Sequence, residues 1–518
     1  MILYSDSHWL VVDKPYGIST HGGDAGDMGV QEWLALHMNE KTFVCSRLDV
    51  GTSGVLLLAK TASASALAQQ IHTEGRAEKV YYFLSDKDVR ITRGTTWTCD
   101  VPLDDKPSLT KFYFEKQLTG QVFLYRAVIT RGRKHQIRRH ASLSGCALSG
   151  DVEYGGTPAP RIALHCCELK WPELTEKIYS TLPEYFQTEA HSRGNTFLEC
   201  LTALDRRGQW IRSIANAWRV VQRGELSRFD LSIDVYGIHA LVWVYDDSDF
   251  SLLEKELFPL FDQLEKRFAV VGCVFRRIGK NPHKKGLVKD IAFSGEKPDD
   301  QFAVSEHDWQ AVVTLNLRQH VGLFLDHRDN RRRVQKMAQG KRVANLFSYT
   351  CAFGLSAATA GCEVVMNVDA SASTLNLGKQ NFEMNGLTAK RSGKFIEKDV
   401  RLWLDKQVSK RNDGVDSGWD IIICDPPTFS STQSGGTFHV SREWAELASA
   451  CASILKDDGC CFFSTNCQAN ERSGFERVLR QFFESVQRLR PPLDFPEVTG
   501  RSHAHFFECR RPLSQRRS

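Results

Sequence analysis

The spacing of hydrophobic residues changes twice along this chain. Up to about residue 175 the apolar runs are short and separated by polar turns, at residues 9–12, 54–58, 80–84 and 122–129. Between the second and third of these runs, residues 62–72 carry apolar side chains at helical spacing. Short strands with a helix among them predict a β-rich α+β domain over residues 1–175.

A polar stretch follows, and the pattern of the chain is different on its far side. The stretch at residues 176–195 predicts a linker. Residues 229–236 and 239–245 then alternate or run apolar, and residues 253–268 carry leucine and phenylalanine at helical spacing. We expect a small sheet with one helix, which makes residues 196–305 a small α+β accessory domain.

From about residue 341 strand and helix alternate regularly. The strands are predicted at residues 343–347, 364–368, 419–424, 460–464 and 504–509. The helices between them are predicted from residue 352, at 371–385 and at 441–455. Such alternation is typical of an α/β doubly wound, Rossmann-like sheet that binds its ligand at the carboxyl ends of the strands. We assign residues 306–518 to this domain, and the whole chain to a multidomain fold class.

Composition agrees with this division and narrows the setting. A length of 518 residues corresponds to about three domains, and 42% hydrophobic with 25% charged residues is ordinary for a globular protein. We find no apolar run long enough to cross a membrane and no signal peptide at the start, so we expect a cytoplasmic protein. The 15 cysteines are scattered without a Cys-x-x-Cys pair, which favours reduced, mostly buried thiols and no metal.

The distribution of charge indicates a partner more clearly than the net charge of +5 does. Basic residues cluster at 131–139, 276–285 and 327–333. A single basic cluster is more often a solvated surface than a binding site. Three of them favour a polyanion such as nucleic acid.

An acid stands two residues after an arginine in Arg47-Leu-Asp49, just before a Gly-Thr-Ser-Gly turn. On spacing alone, Asp49 is as well explained as a turn residue paired with Arg47. The segment resembles the Arg-Leu-Asp motif of the RluA-type pseudouridine synthases. Further segments resemble other motifs of that family in the same order, at residues 11–17, 79–81, 132–138, 150–155 and 161–165.

The resemblance implies that a uracil is detached from its ribose, turned and re-attached through carbon, with Asp49 as the essential carboxylate. We expect Arg138 to lower the pKa of Asp49 and Arg47 to position the surroundings of the flipped nucleotide. Tyr81 is expected to stack on the extruded base and exchange protons with it. This step requires neither a metal nor a cofactor.

The basic motif of the same domain is expected to contact RNA through Arg133, His135 and Gln136. Two departures from the family pattern bear on its activity. Ser46 stands where the family usually has histidine, and we expect no small RNA-binding domain of the kind that often precedes the catalytic domain in this family. Target choice is therefore left to the rest of the chain.

The last domain has acids at two predicted strand ends. Asp369 follows the second strand, where an acid in such sheets binds ribose hydroxyls, although a helix cap explains it equally well on spacing alone. Asp425-Pro-Pro follows the apolar run 421–424. The two prolines hold the backbone outside helix and strand, as a rigid floor under a flat base would require.

These segments resemble the class I S-adenosylmethionine-dependent methyltransferases, and more narrowly those that act on large-subunit ribosomal RNA. Residues 322–331 resemble the entry motif of that family, and the region 210–305 resembles its accessory RNA-binding domain. The resemblance implies S-adenosylmethionine as cofactor. By this resemblance, Phe347, Ser348 and Tyr349 would contact the methionine end of the cofactor, Asp369 its ribose and Asp399 its adenine. Asp425 would line the catalytic pocket, and Asn466 would help to hold the base that is methylated. Arg328 and Arg331 are expected to bind the RNA.

One position departs from the methyltransferase pattern. Cys351 stands where glycine or another small residue usually lets the backbone approach the cofactor. We expect its side chain to weaken cofactor binding, with Gly354 relieving the turn.

A guanine N7 is favoured over a cytosine C5 as the methyl acceptor. Methylation of a pyrimidine carbon requires a thiolate that adds at C6. The cysteine near enough in sequence is Cys467, two residues beyond the position that the cytosine-modifying relatives use. A structural thiol is therefore the favoured interpretation of Cys467.

Together these features predict a bifunctional enzyme that isomerises uridine and methylates a base in 23S ribosomal RNA. An RNA-binding or ribosome-assembly factor with one active catalytic domain is the alternative, supported by Ser46 and Cys351. A DNA amino-methyltransferase is compatible with Asp425-Pro-Pro alone. The oligomeric state does not follow from the sequence.

Overall fold

The computed structural model of the chain describes residues 1–23, 28–278, 288–316, 321–387, 393–415, 418–431, 437–466, 472–498 and 504–513. Within these ranges the chain forms a first unit built on a large mixed sheet, a middle unit built on a small sheet, and a last unit built on a mostly parallel sheet. The fold class is therefore multidomain, with α+β units followed by a Rossmann-like α/β unit, as predicted.

One 10-stranded sheet forms the first unit, in the order β1-β2-β4-β9-β5-β8-β7-β6, with β3 beside β4 and β10 beside β9. Its strands are β1 Ile2–Ser5, β2 Trp9–Lys14, β3 Phe43–Val44, β4 Thr52–Ala59, β5 Glu78–Ser85, β6 Thr96–Cys99, β7 Thr110–Gln117, β8 Phe123–Ile129, β9 Leu164–Lys170 and β10 Ile178–Tyr179. Its helices are α1 Val30–Trp33, continued by a π-helix at Leu34–Met38, then α2 Ala62–Glu74, α3 Arg90–Arg93 and α4 Gln136–Leu143. The chain between them carries a 3₁₀ turn at Val152–Tyr154.

The centre of this sheet depends on a close approach between β4 and β9. All eight residues of β4 are buried, as expected for an apolar run covered on both faces. Gly54 has φ +107°, and a Cβ at this position would lie 2.1 Å from the carbonyl oxygen of Cys166. Only glycine fits this crossing.

A buried polar network fixes the same crossing. The Ser53 hydroxyl accepts a hydrogen bond from Arg161 at 2.7 Å and lies 2.9 Å from Nδ1 of His165. Burial lowers the pKa of His165 to about 3, so the ring is neutral. Two sequence motifs that lie far apart along the chain, at residues 52–54 and 161–165, therefore meet directly behind the loop that carries Asp49.

The middle unit packs a five-stranded sheet, in the order β11-β12-β13-β14-β15, against two helices. These elements are α5 Thr188–Ser192, α6 Asn195–Arg212, β11 Ala217–Val221, β12 Leu231–Tyr236, β13 His239–Val244, α7 Phe250–Phe268, β14 Gly272–Ile278 and β15 Val288–Gly295. A hairpin of β16 Phe302–Glu306 and β17 Trp309–Val313 follows. The predicted strand–strand–helix order over residues 229–268 is confirmed.

The last unit has a seven-stranded sheet in the order β20-β19-β18-β21-β24-β26-β25. Its strands are β18 Arg342–Leu346, β19 Val364–Asp369, β20 Gly393–Glu397, β21 Trp419–Cys424, β24 Leu455–Thr465, β25 Phe483–Leu489 and β26 His505–Pro512, with a separate hairpin of β22 Phe429–Ser431 and β23 Thr437–His439. Its helices are α8 Arg328–Met337, α9 Ala352–Thr359, α10 Ala372–Met384, α11 Val400–Asn412, α12 Val440–Ile454 and α13 Arg472–Leu479. β26 runs antiparallel between β24 and β25, and the pairs among β20, β19, β18, β21 and β24 are parallel.

The stretch at residues 176–195, expected to be a polar linker, is folded onto the first unit. Tyr185 and Phe186 are buried and pack with Leu84 and Leu124 of the large sheet. The polar composition of the stretch concealed these two aromatic anchors. As a division of the chain into domains, the boundaries 1–175, 176–195, 196–305 and 306–518 stay a prediction.

Helix α6 joins the first and middle units. Trp210 belongs to the hydrophobic core of the first unit, where it contacts Trp33, and its indole N–H donates to the carbonyl of Asp13 at 2.8 Å. Leu204 and Ile211 of the same helix belong to the core of the middle unit. One helix therefore supplies side chains to two cores.

We expect Gly54→Ala to destabilise the first unit by about 2–4 kcal/mol, because the new Cβ would overlap a backbone carbonyl at a left-handed φ. Hydrogen exchange followed by mass spectrometry would report this as faster exchange in peptides from β4 and β9. Gly120→Ala is the matched control, since Gly120 has φ +55° and open space where its Cβ would lie. Equal exchange in both variants would contradict the close-approach argument.

Candidate functional sites

A cavity of about 560 Å³ opens in the first unit between the loop after β3, the floor of β5 and the start of α4. The sequence motifs converge here: the lining includes Arg47, Asp49, Tyr81, Arg133, His135, Gln136 and Arg138. Segments that lie up to about 90 residues apart in sequence therefore form one pocket, with an acid, a phenol and several basic groups.

Asp49 lies at the mouth of this cavity. Its side chain is 37% exposed, and Nε2 of His135 lies 3.9 Å from Oδ1. The backbone carbonyl of Asp49 accepts from the N–H of Thr52 at 2.9 Å, which forms the turn into β4. The turn therefore fixes the backbone and leaves the carboxylate free to face the cavity.

Arg138 has partners other than the one we expected. Its guanidinium donates to both carboxylate oxygens of Asp151 at 2.7 Å and to Glu153 at 2.7 Å. Asp151 is 1% exposed, and a carboxylate buried to this extent requires a bidentate cationic partner. Arg138 thus lines the cavity while it is paired with Asp151 and Glu153. The prediction that it pairs with Asp49 was wrong.

Tyr81 projects from β5 into the floor of the cavity and is 6% exposed. Burial, followed by the neighbouring Cys166 thiol, raises the pKa of Tyr81 well above its ordinary value. The phenol therefore keeps its proton at neutral pH. A flat, protonated ring at this position can stack on a base and donate a hydrogen bond.

The three residues expected to contact RNA at this site differ in what they do. His135 has φ +55° and lies 3.0 Å from the Tyr154 hydroxyl, between Asp49 and Glu153. Arg133 is half-buried at the rim. Gln136 is 3% exposed and holds the loop together by donating to the carbonyl of Leu109 and accepting from the N–H of Arg133, both at 3.0 Å.

A second candidate site lies in the last unit, at the carboxyl ends of its parallel strands. The loop from β18 to α9 has three non-glycine residues with left-handed backbone: Phe347 at φ +54°, Tyr349 at +48° and Cys351 at +63°. Such residues cost free energy unless the surroundings impose the conformation. Strain of this kind concentrates at functional sites.

Hydrogen bonds from the next strand hold this loop in place. The N–H of Ser348 donates to the carbonyl of Val368 at 3.0 Å, and the N–H of Tyr349 donates to the Asp369 carboxylate at 2.9 Å. Asp369 also accepts from the N–H of Ser371 at 2.9 Å. Burial raises its pKa, while these hydrogen bonds oppose the rise. Its side chain is partly exposed and keeps further lone pairs.

Cys351 occupies a position that prefers glycine, and the structure shows how its side chain is accommodated. The residue is fully buried, and a Cβ on Gly378 of α10 would lie 2.4 Å from the cysteine sulfur. Glycine at 378 therefore makes room for the thiol. Gly354 has a different role, because a Cβ there would meet the side chain of Asn367 at 2.0 Å.

Asp399 caps helix α11. Its carboxylate accepts from the N–H of Arg401 at 2.9 Å and pairs with the Arg401 guanidinium at 2.7 Å. The hydrogen bond from that side chain, more than any other contact, lowers the pKa of Asp399. It lies just beyond the end of β20, beside β19 in the sheet.

Asp425 follows β21, where two neighbouring elements reach its carboxylate. Ser464, near the end of β24, donates to Oδ1 at 2.5 Å, and Nε2 of His327 lies 3.2 Å from Oδ2. Asn466 is exposed just after β24. Cys467 lies outside the described residues. His327 was missed by sequence reasoning, although it stands inside the motif at residues 322–331.

Arg328 and Arg331, expected to bind RNA, lie in the interior. Arg328 is completely buried and donates to Asp494 at 2.7 Å and to the carbonyl of Ala217 at 2.8 Å. Arg331 is 1% exposed and forms a bidentate pair with Glu306. The prediction was wrong because every one of these partners is distant in sequence.

Metal-binding clusters and membrane-spanning helices are both absent from the residues that the structure describes. Within them, no group of three or more histidine, cysteine or acidic side chains is arranged to hold a metal ion. Nor does any helix in the same ranges have the length and apolar character needed to span a membrane.

Comparison with known protein families matches two parts of the chain. The RNA pseudouridylate synthase family matches residues 8–143, which include the first cavity. The S-adenosylmethionine-dependent methyltransferase family matches residues 288–505, which include the second site. Both matches agree with the family resemblances of the sequence motifs, and S-adenosylmethionine is the cofactor of the last unit.

Individual relatives extend this result. Ribosomal RNA large subunit methyltransferase K from Neisseria meningitidis is 33% identical over 258 residues, which is 49% of this chain and 70% of that protein. Ribosomal RNA large subunit methyltransferase K/L from Psychrobacter arcticus is 29% identical over 57% of this chain and 36% of its own length. The structure of human RNA pseudouridylate synthase domain containing 1 is 25% identical, with a TM-score of 0.31, over 36% of this chain and 84% of that one.

The two family matches, at residues 8–143 and 288–505, cover the two sites separately. This chain spans about a third of the length of the K/L relative but more than two thirds of the K relative. The chain therefore belongs to the family of ribosomal RNA large subunit methyltransferase K and carries, in addition, an RNA pseudouridylate synthase domain.

Proposed function

We propose that this protein modifies large-subunit ribosomal RNA twice, isomerising a uridine in its first unit and methylating a base in its last. The observation that supports the proposal is that one chain carries both an Asp49 and Tyr81 cavity in the first unit and the acids Asp369 and Asp425 at strand ends of the last unit. RNA is the partner that both chemistries share. The proposed location is the cytoplasm, where this RNA is assembled.

In the first unit, Asp49 acts on a uridine that has left its helical stack. An ionised carboxylate at the cavity mouth can reach the anomeric carbon or C6 of the base. Tyr81 supports the base from the floor and, because its raised pKa keeps the phenol protonated, can donate a hydrogen bond to the base. His135 and Arg133 at the rim, with Arg47, hold the surrounding backbone.

In the last unit, the strained loop and Asp369 fit the two ends of S-adenosylmethionine. The loop of Phe347, Ser348 and Tyr349 would hold the methionine end, Asp369 the ribose and Asp399 the adenine. When bound, the cofactor supplies an electrophilic methyl group. Asp425 and Asn466 would then hold the acceptor base, with Pro426 and Pro427 fixing the chain beneath it. The accommodated side chain of Cys351 removes one argument for an inactive domain.

We favour a guanine ring nitrogen, N7, as the acceptor. Attack by a nitrogen lone pair requires no covalent enzyme intermediate, whereas a cytosine C5 requires a thiolate at C6. The support for this choice is the sequence position of Cys467.

Asp49→Asn is expected to abolish pseudouridine formation, because the neutral amide cannot replace the carboxylate. Methylation by the same variant should be unchanged, since the two sites lie in separate cores. Mass spectrometry of large-subunit RNA treated with the full chain measures both products. Asp105→Asn, at an exposed turn of the same unit, is the control. Normal pseudouridine with Asp49→Asn would remove Asp49 from the mechanism.

Asp369→Ala is expected to weaken S-adenosylmethionine binding by about 1–3 kcal/mol, the cost of losing hydrogen bonds to a charged partner. Isothermal titration calorimetry on the full chain measures this. Asp405→Ala, on the exposed side of α11, should bind the cofactor normally. If Asp369→Ala binds as tightly as the unmodified protein, the ribose assignment is wrong.

Cys467→Ala should leave methylation largely intact, because a guanine nitrogen needs no enzyme nucleophile. The methylated nucleoside is identified by digestion and mass spectrometry. A 5-methylcytidine product, or complete loss of methylation in this variant, would replace guanine by cytosine as the acceptor.

A further inference from the structure

Three elements of the last unit meet at the Asp425 carboxylate. His327 precedes α8, Asp425 follows β21 and Ser464 lies in β24. Nε2 of His327 lies 3.2 Å from Oδ2, and the Ser464 hydroxyl donates to Oδ1 at 2.5 Å. Each carboxylate oxygen therefore has one fixed protein partner.

The imidazole of His327 is held so that it can serve only this contact. Its ring packs edge-on against Phe353 and Phe506, at centroid distances of 5.2 and 4.9 Å. Its side chain is 8% exposed. Nδ1 is buried without a hydrogen-bond partner among the described residues. A buried polar atom left unpaired costs free energy, so the position of the ring is explained by what Nε2 does rather than by stability.

The lone pairs that remain on Asp425 indicate what it can bind. A carboxylate has about four lone-pair positions, and His327 and Ser464 occupy one on each oxygen. The side chain of Asp425 is 28% exposed. One free position on each oxygen can accept two adjacent N–H donors. The N1–H and N2–H groups of guanine are adjacent donors, whereas adenine and cytosine each offer one amino group at this edge.

We infer that His327 is a positioning residue of the methyl-transfer site: it fixes one oxygen of Asp425, so that the ionised carboxylate accepts hydrogen bonds from the N–H edge of a guanine. The inference rests on the proposed methylation of guanine and adds the group that orients the acceptor base. As the base gains positive charge during transfer, its N–H groups become more acidic. The hydrogen bonds to Asp425 then strengthen in the transition state.

The charges around the pair favour the ionised carboxylate. Burial lowers the pKa of His327, but the Asp425 carboxylate raises it, and the net change is a rise. The other charged groups that act on this imidazole are Asp326 and Arg331. Burial raises the pKa of Asp425, but His327, Ser464 and Arg331 bring it below its ordinary value. Without His327, the partly buried carboxylate of Asp425 would take up a proton at a higher pH. Methylation, which needs the ionised carboxylate, would then be lost at a higher pH as the solution is made more acidic.

The first experiment measures methylation by the full chain, with large-subunit RNA, over about pH 5–9. His327→Leu should lower kcat by about 10- to 100-fold, the cost of one charge-assisted hydrogen bond, and shift the acid limb of the profile to higher pH. KM for S-adenosylmethionine should stay within about threefold. His327→Gln retains an N–H donor and should restore most of kcat at neutral pH but not the acid limb.

Two outcomes of this experiment would overturn the inference. One is an unchanged kcat and pH profile in His327→Leu. The other is an equal loss in His327→Leu and His327→Gln with weakened cofactor binding, because that would indicate a structural role. His8→Gln, at an exposed position of the first unit, controls for the loss of a histidine as such.

The second experiment does not depend on methylation and separates a failure of this inference from a failure of the proposed function. Nuclear magnetic resonance follows the titration of the His327 imidazole in the unmodified chain and in Asp425→Asn. The midpoint should fall by about one pH unit or more when the carboxylate is neutralised. An equal midpoint in both proteins would overturn the inference, whether or not the chain methylates RNA.

Discussion

The buried carboxylate of Asp494 is the interaction on which the arrangement of the middle and last units depends. It is completely buried and accepts from Arg328 at 2.7 Å and from the N–H of Arg219 at 3.0 Å. Its backbone carbonyl accepts from Arg207 at 3.2 Å. These partners lie on α8, β11 and α6. Since a charge buried without its partner costs about 3–5 kcal/mol, these elements have to stay together.

Helix α8 extends this constraint to both catalytic sites. Its Asp329 carboxylate lies 3.1 Å from Nε2 of His37, on the π-helix of the first unit, and Nδ1 of His37 lies 3.0 Å from His307. Lys336 of the same helix donates to the carbonyl of Ala35 at 2.6 Å. His327, just before α8, contacts Asp425. One short helix thus joins the first unit to the methyltransferase site, which explains why its arginines face inward.

The parts of the fold that could be predicted are those that local patterns determine. The predicted strand at residues 419–424 has the same bounds as β21, in which residues 421–424 form an uninterrupted apolar run. The family motifs also predicted that Asp49 and Tyr81 share a site, and both residues line one cavity. That prediction came from resemblance to a family and not from the spacing of the residues. β25 was missed, since its apolar residues Phe483, Val486 and Leu489 lie three positions apart instead of alternating with polar ones.

Long-range ion pairs account for most of the errors at the sites. Arg328 and Asp494 are 166 residues apart, and no local pattern indicates that they meet. Arg138 was expected to pair with Asp49 because both stand in motifs of the same family resemblance, but the more deeply buried Asp151 binds it. His327 was not predicted as a site residue for the same reason, because its partner Asp425 lies at a strand end about a hundred residues further along the chain.

We propose that one chain performs two modifications on the same RNA. Mass mapping of large-subunit ribosomal RNA from cells that lack this protein tests it most directly. The account predicts that one pseudouridine and one methylated guanine disappear together from that RNA. A map identical to that of cells that contain the protein, with every pseudouridine and methyl group in place, would contradict the proposal.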